Sequence, residues 1–215
     1  MRMNEYVVSF SFPCVGARAA LKKSRVRRSF CTSSGQRADV TAICGDLVRF
    51  SQECPDPGSK PGTFRALCDC EVTTESCFAP LMWETLLAMH KPDRDPFDWD
   101  PSDSPDPNQP DLSFNARGRA FFFVGLHPAA SRLARRSPAS CLVFNCHNQF
   151  ERLRANDNTD GMQRLIRRHE MYLHGSINSV RTLFGNQSEA RRYSGVAVPP
   201  NSRCPAHQIA EIHGA

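Results

Sequence analysis

The residues with most chemical promise lie between positions 127 and 147. His127 closes the apolar run Ala120 to Leu126, and His147 follows the apolar run Cys141 to Phe144 across Asn145 and Cys146. Between them come Ser131, Arg132, Arg135 and Arg136. Neutral imidazole is the commonest metal ligand among side chains, and arginine grips carboxylates and phosphates. An imidazole at the mouth of an apolar slot, with cations on the adjoining connection, makes a cradle for an anionic cofactor. The blander reading makes the histidines strand caps bonded to nearby backbone and the arginines an ordinary basic turn. Both apolar runs are continuous rather than alternating, which predicts strands covered on both faces. If they are neighbours, their ends bring His127, Asn145 and His147 to one rim.

The elements that must hold this rim follow from pattern. A chain of 215 residues suits one domain with a substantial core. Helices first and last around a few central strands predict an α+β fold, a small sheet flanked by helices. The basic stretch 18–28 reads as a short surface helix, 29–36 as loop, and 40–50 as an amphipathic helix. Alternation over 63–72 predicts a strand with Cys68 and Cys70 on one face. Pro80 suits a first helical position, followed by the stripe Leu81, Met82, Leu86 and Met89 and ended by Lys91-Pro92. The Pro- and Asp-rich stretch 92–111, with Trp99, has no regular element and is either an inert loop or an active-site cover. Residues 149–156 read as helix. Asp160 is the expected cap of a helix over 161–174, with His169 on its apolar face as a core residue and Gly175 as its terminator.

Composition narrows the function classes. A net charge of +5 from 27 basic and 22 acidic residues is too mild to imply nucleic acid. No stretch approaches the roughly 20 apolar residues of a membrane span. Residues 6–16 resemble a signal-peptide core, but Pro13 interrupts them and the flanking charges, Arg2 and Glu5, are mixed. The expectation is a soluble, cytoplasmic protein. In that compartment ten cysteines read as mostly buried thiols. Cys68-x-Cys70 and Cys146-His147 hint at zinc, but the usual paired Cys-x-x-Cys knuckles are missing. No Gly-x-Gly-x-x-Gly fingerprint is present, so redox chemistry would need an external electron donor.

Longer strings carry a resemblance. Gly118-Arg-Ala-Phe-Phe, Val124-Gly-Leu-His-Pro, Ala130-Ser-Arg-Leu-Ala-Arg-Arg, Leu142-Val-Phe-Asn and the stretch from His147 to Arg152 closely resemble the YqcI/YcgG family. Phe12-Pro-Cys14 with Gly16-Ala-Arg-Ala-Ala-Leu21 resembles its opening, and Trp99-Asp-Pro its middle. Gly175-Ser-Ile-Asn, Phe184-Gly, Ser188-Glu-Ala-Arg, Tyr193-Ser-Gly and Cys204-Pro resemble its closing motifs. The likeness runs over about residues 12–205, consistent with a single catalytic domain spanning 1–215. Cys146 and Ala206 depart from the pattern.

Members of that family include haem proteins that hydroxylate guanidino groups in D-cycloserine and guanitoxin biosynthesis. The resemblance therefore implies a haem b monooxygenase converting L-arginine to Nω-hydroxy-L-arginine with O2 and an electron-donor protein or reductant, in antibiotic or other secondary metabolism. His127 is the first choice of axial ligand and His147 the second. Cys204 and Cys14 are thiolate alternatives, since thiolate donation favours O–O cleavage. Arg132, Arg135 and Arg136 would hold the propionates. Glu151 and Glu189, acidic residues inside matching motifs, would grip the guanidinium through paired hydrogen bonds; surface pairing with the many arginines is the competing reading and, for each alone, the slightly favoured one. Ser131, Asn145 and Tyr193 would order bound oxygen or the substrate's α-carboxylate. No nucleic-acid or membrane partner is expected, and a homodimer is left open. A haem carrier or gas sensor without turnover is the alternative, and a thiol-rich zinc or redox-responsive interaction protein a third.

Overall fold

Five strands build the framework. A computed structural model describes residues 2–9, 12, 14–32, 37–53, 62–91, 97–104, 106, 109, 113–149, 158–176, 193–195 and 206–207. The strands are β1 (Val26–Thr32), β2 (Thr63–Asp69), β3 (Phe114–Ala116), β4 (Arg119–Leu126) and β5 (Ser140–Cys146), in the spatial order β1-β2-β5-β4-β3. β1 and β2 run parallel, and the other neighbours are antiparallel. Helices α1 (Met3–Val8), α2 (Val15–Lys22), α3 (Arg37–Glu53), α4 (Glu75–His90) and α5 (Asn158–His174) complete the described elements. The chain is an α+β fold with a mixed sheet and flanking helices, as its pattern predicts.

Each face of the sheet has its own core. Phe64, Phe121, Phe123 and Phe144 pack with Ile43, Leu47 and Phe50 of α3 and with Met82, Trp83 and Leu86 of α4. The other face turns Leu126, Cys141, Val124 and Val143 toward Tyr6 and Val7 of α1 and toward Phe12. Burial on both faces is why the strand sequences 120–126 and 141–144 are apolar at every position.

Several local expectations are corrected. The basic stretch after Arg18 is helical only to Lys22; Ser24 then takes a left-handed φ of 55°, and β1 begins at Val26, running through 29–32 where loop was expected. The arginines that suggested a solvated helix face lie instead on an edge strand, where Arg27 pairs with Glu53 at 2.7 Å. Helix α4 starts before Pro80. Thr74 caps it by accepting from the Cys77 N–H at 3.2 Å, and Pro80 falls inside the helix, where it lacks the N–H of the usual i→i−4 bond. Helix α5 begins at Asn158, two residues before its expected cap, and ends at Gly175 with φ 65° as expected. Cys70 lies just beyond β2. Of the stretch 149–156, only Gln149 is described, in a helical conformation.

The described part of the Pro- and Asp-rich stretch is fixed by its aspartates. Asp100 accepts from the Ala120 N–H at 2.9 Å and from the Ser102 hydroxyl at 2.7 Å, and Asp103 accepts from the Ser113 N–H at 2.9 Å. These contacts dock it on the β3–β4 hairpin, whose turn residues Arg117 and Gly118 both have positive φ, the geometry of a type I′ turn.

Candidate functional site

Strand β4 delivers His127 to the end of the sheet beside β5's start. The His127 N–H donates to the Arg135 carbonyl at 3.1 Å, because residues 128–136 fold back alongside it through a 3-10 turn at Leu133–Arg135. The imidazole is 0 % exposed and stacks on the Phe78 ring of α4, with centroids 4.2 Å apart and planes 25° apart. Gly125 makes that stacking possible: a Cβ there would run into the Phe78 ring and the Met82 sulfur. Among the described residues neither ring nitrogen of His127 has a hydrogen-bond partner. Buried polar atoms are nearly always paired, so such an imidazole is a candidate to bind a ligand or an ordered water, as are the buried imidazoles of His90 and His147.

Burial keeps the ring neutral. Burial lowers the His127 pKa, and the Arg135 guanidinium adds to that; the Glu75 carboxylate acts in the opposite sense and does not outweigh them. Glu75 stands three residues before Phe78 on α4, so both side chains lie on one helix flank. It accepts from the Ser131 N–H at 3.3 Å and hydroxyl at 3.1 Å, tying the turn after His127 to the start of α4. Glu75, Phe78 and Gly125 were not singled out in the sequence, where they carry no motif of their own as site residues. The short spacing from Glu75 to Phe78 is the only signal that could have linked them.

The predicted arginines divide. Arg135 Nη1 donates to the carbonyls of Gly125 at 3.0 Å and Tyr193 at 2.9 Å, and Arg136 donates to those of Ala130 at 2.8 Å and Ser131 at 3.2 Å. Both therefore brace backbone. Arg132 has a buried Nη1 without a hydrogen-bond partner and is the arginine here suited to receive an anion. Tyr193 reaches the same region by backbone, its carbonyl accepting from the Gly125 N–H at 2.8 Å, while its ring packs against Phe123 with centroids 3.8 Å apart. The expected site residues His127, Ser131, Arg132, Arg135, Arg136 and Tyr193 are thus brought together.

His147 and Asn145 are not part of this cluster, which corrects the single-rim expectation. β4 and β5 are antiparallel, with Leu126 opposite Cys141 and Phe121 opposite Cys146, so the strands deliver their terminal histidines to opposite ends of the sheet. At about 3.4 Å per residue, roughly 20 Å of strand separates them. At the far end His147 is 4 % exposed, lies 4.7 Å from the Phe122 ring centre and is close enough to Asp100 to stabilise its carboxylate. Asn145 accepts there from the Thr63 hydroxyl at 3.0 Å.

The thiol alternatives also resolve in part. Cys14 caps α2, its sulfur accepting from the Ala17 N–H at 3.4 Å, and packs on the sheet face opposite Phe78. Cys31, Cys44, Cys141 and Cys146 are buried thiols. Cys204, Glu151 and Glu189 lie outside the described residues. Ala206, where the family pattern suggested an aromatic, is buried in the core that includes α3 and α4. Among the described residues no three His, Cys, Asp or Glu side chains converge as a metal-binding set. A haem draws only one or two donors from its protein, and a neutral imidazole such as His127 has one ring nitrogen with a lone pair to give. His127 is thus the residue here that could hold a haem iron, with Arg132 as the neighbouring cation.

No curated protein and no solved structure gives a match to this chain. A family model matches residues 3–207, nearly the whole length and including both ends of the sheet. The chain belongs to the YqcI/YcgG family.

Proposed function

We propose that the protein is a haem-dependent monooxygenase that converts the guanidino group of L-arginine to its Nω-hydroxy derivative, using O2 and electrons from a separate donor. The observation that carries this reading is His127, a fully buried neutral imidazole whose nitrogens have no hydrogen-bond partner among the described residues, at the end of the sheet where Ser131, Arg132 and Tyr193 gather. When bound, haem supplies reductive activation of O2, with one oxygen atom entering the substrate and the other leaving as water. In this chain His127 would donate a ring nitrogen to the iron, with Phe78 fixing the plane of the imidazole. Arg132 would receive a propionate. Arg135 and Arg136 hold the backbone that carries His127, and Glu151 and Glu189 keep the substrate-gripping role the family likeness gives them.

The reading places the protein among soluble cytoplasmic enzymes; among the described residues no helix is long and apolar enough to cross a membrane. The test is turnover of the haem-loaded protein with L-arginine, O2 and a reductant, followed by mass spectrometry. The expected product is arginine plus one oxygen, lost in His127→Ala. Haem and carbon monoxide binding without any hydroxylated product would assign the protein to haem carriage or gas sensing instead.

A further inference from the structure

Arg65, in the middle of β2, is among the largest fully buried side chains of the protein, at 2 % exposure. Its Nη1 donates to Asn4 Oδ1 of α1 at 3.1 Å, and its buried Nη2 has no hydrogen-bond partner among the described residues. A buried lysine or carboxylate can relieve its desolvation by neutralising, but guanidinium stays protonated throughout the physiological range. A buried fixed charge therefore needs a counter-charge. None is supplied by the described residues. Neither the Arg27–Glu53 nor the Arg49–Asp46 pair involves Arg65. Cys141 feels the Arg65 charge, but burial holds its thiol neutral, with its pKa pushed up to about 12.

Its register partner on β1 is a second cation. Arg28 stands directly opposite Arg65 in the parallel β1–β2 register, on the same sheet face, and is exposed. Like charges placed opposite each other on neighbouring strands repel. We infer that Arg65 and Arg28 form a binding site for a small oxyanion, a carboxylate or a phosphate, that enters past Arg28 at the sheet edge and bonds Arg65 Nη2. The planar fork of Arg65 gives the anion a directional donor, and Arg28 supplies a second positive charge at the entrance. The site lies on the sheet face covered by α1, whereas His127 packs against Phe78 of α4. It is therefore independent of the haem reading.

Thermal unfolding of the full chain at constant ionic strength tests the site, with sodium chloride replaced stepwise by sodium acetate or by sodium phosphate. The wild type is expected to gain several degrees in Tm, saturably, with at least one of the two anions, through preferential binding to the folded state. Acetate alone would identify a carboxylate site, and phosphate alone a phosphate site. Arg65→Met should abolish the response. Arg28→Met, a change at an exposed position, should fold normally and shift the half-saturating concentration up by about tenfold, the loss of one charge-assisted contact; it keeps the test decisive if Arg65→Met fails to fold. Equal Tm values of the wild type in all three salts would overturn the inference. So would an unaltered anion response in Arg28→Met, or an Arg65→Met protein at least as stable as the wild type in every salt.

Discussion

A buried imidazole ordinarily pairs at least one nitrogen, and the lack of any partner at His127 has consequences that can be measured without a cofactor. Because burial depresses its folded pKa, the unfolded chain binds a proton more readily than the folded one below about pH 6.5. Stability from this group is whole above that pH and falls as pH drops toward the lowered folded pKa. Unfolding by denaturant from pH 8 to pH 5 should show this slope, and His127→Phe should flatten it. Gly125 is the second residue on which the arrangement turns. Gly125→Ala forces Phe78 off the strand, an overpacking that should cost about 1–3 kcal/mol in denaturant unfolding and disturb the His127 ring even where the fold survives. His127 could be picked from the sequence because it ends an apolar run inside a long family string. The partners of its ring could not, since Phe78 and Glu75 lie about fifty positions earlier and meet it only through the packing of α4 on β4.

At the scale of elements, the legible parts were those whose period is unambiguous. The stripe Val40, Ile43, Leu47 and the apolar runs of β4 and β5 read correctly because burial on one helix face or on both sheet faces leaves a clear pattern. β1 was illegible. As an edge strand it exposes Arg28 and Phe30, and basic residues in a short segment look like the outer face of a helix. The direction of β5 relative to β4 was illegible too, because an apolar run carries no sign of which way it is traversed. That missing sign is why two histidines expected at one rim are at opposite ends. Helix α4 rests on its Thr74 cap, and Thr74→Ala should lower stability by about 1 kcal/mol, read from the denaturant midpoint. The loop at 97–104 depends on Asp100. Burial pushes its pKa up, but bonds from Ser102 and Ala120 and the charge of His147 outweigh this and hold the carboxyl below the usual range. Its contribution is present above the ordinary carboxylate pKa and is lost as pH falls through the lowered folded value. Asp100→Asn should speed hydrogen exchange at the Ala120 amide, and an unchanged rate would show that the carboxylate does not hold the loop.

For the molecule as a whole, a two-faced sheet separates three polar features: His127 beside α4 at one end, His147 and Asp100 at the other, and Arg65 beneath α1. Family membership covers all three and so does not choose among them; the proposed haem chemistry centres on His127 because Ser131, Arg132, Arg135 and Tyr193 gather at its end of the sheet. Among the described cysteines, four are buried and Cys14 caps a helix, so the high thiol content is accounted for there mainly by packing and capping. The most direct measurement is the visible spectrum of protein expressed with haem precursor, reduced under carbon monoxide, for the wild type, His127→Ala and His147→Ala. The account predicts a Soret band that survives in His147→Ala and is lost or strongly shifted in His127→Ala. A band kept in His127→Ala and lost in His147→Ala would contradict it, as would a wild-type protein that takes up no haem.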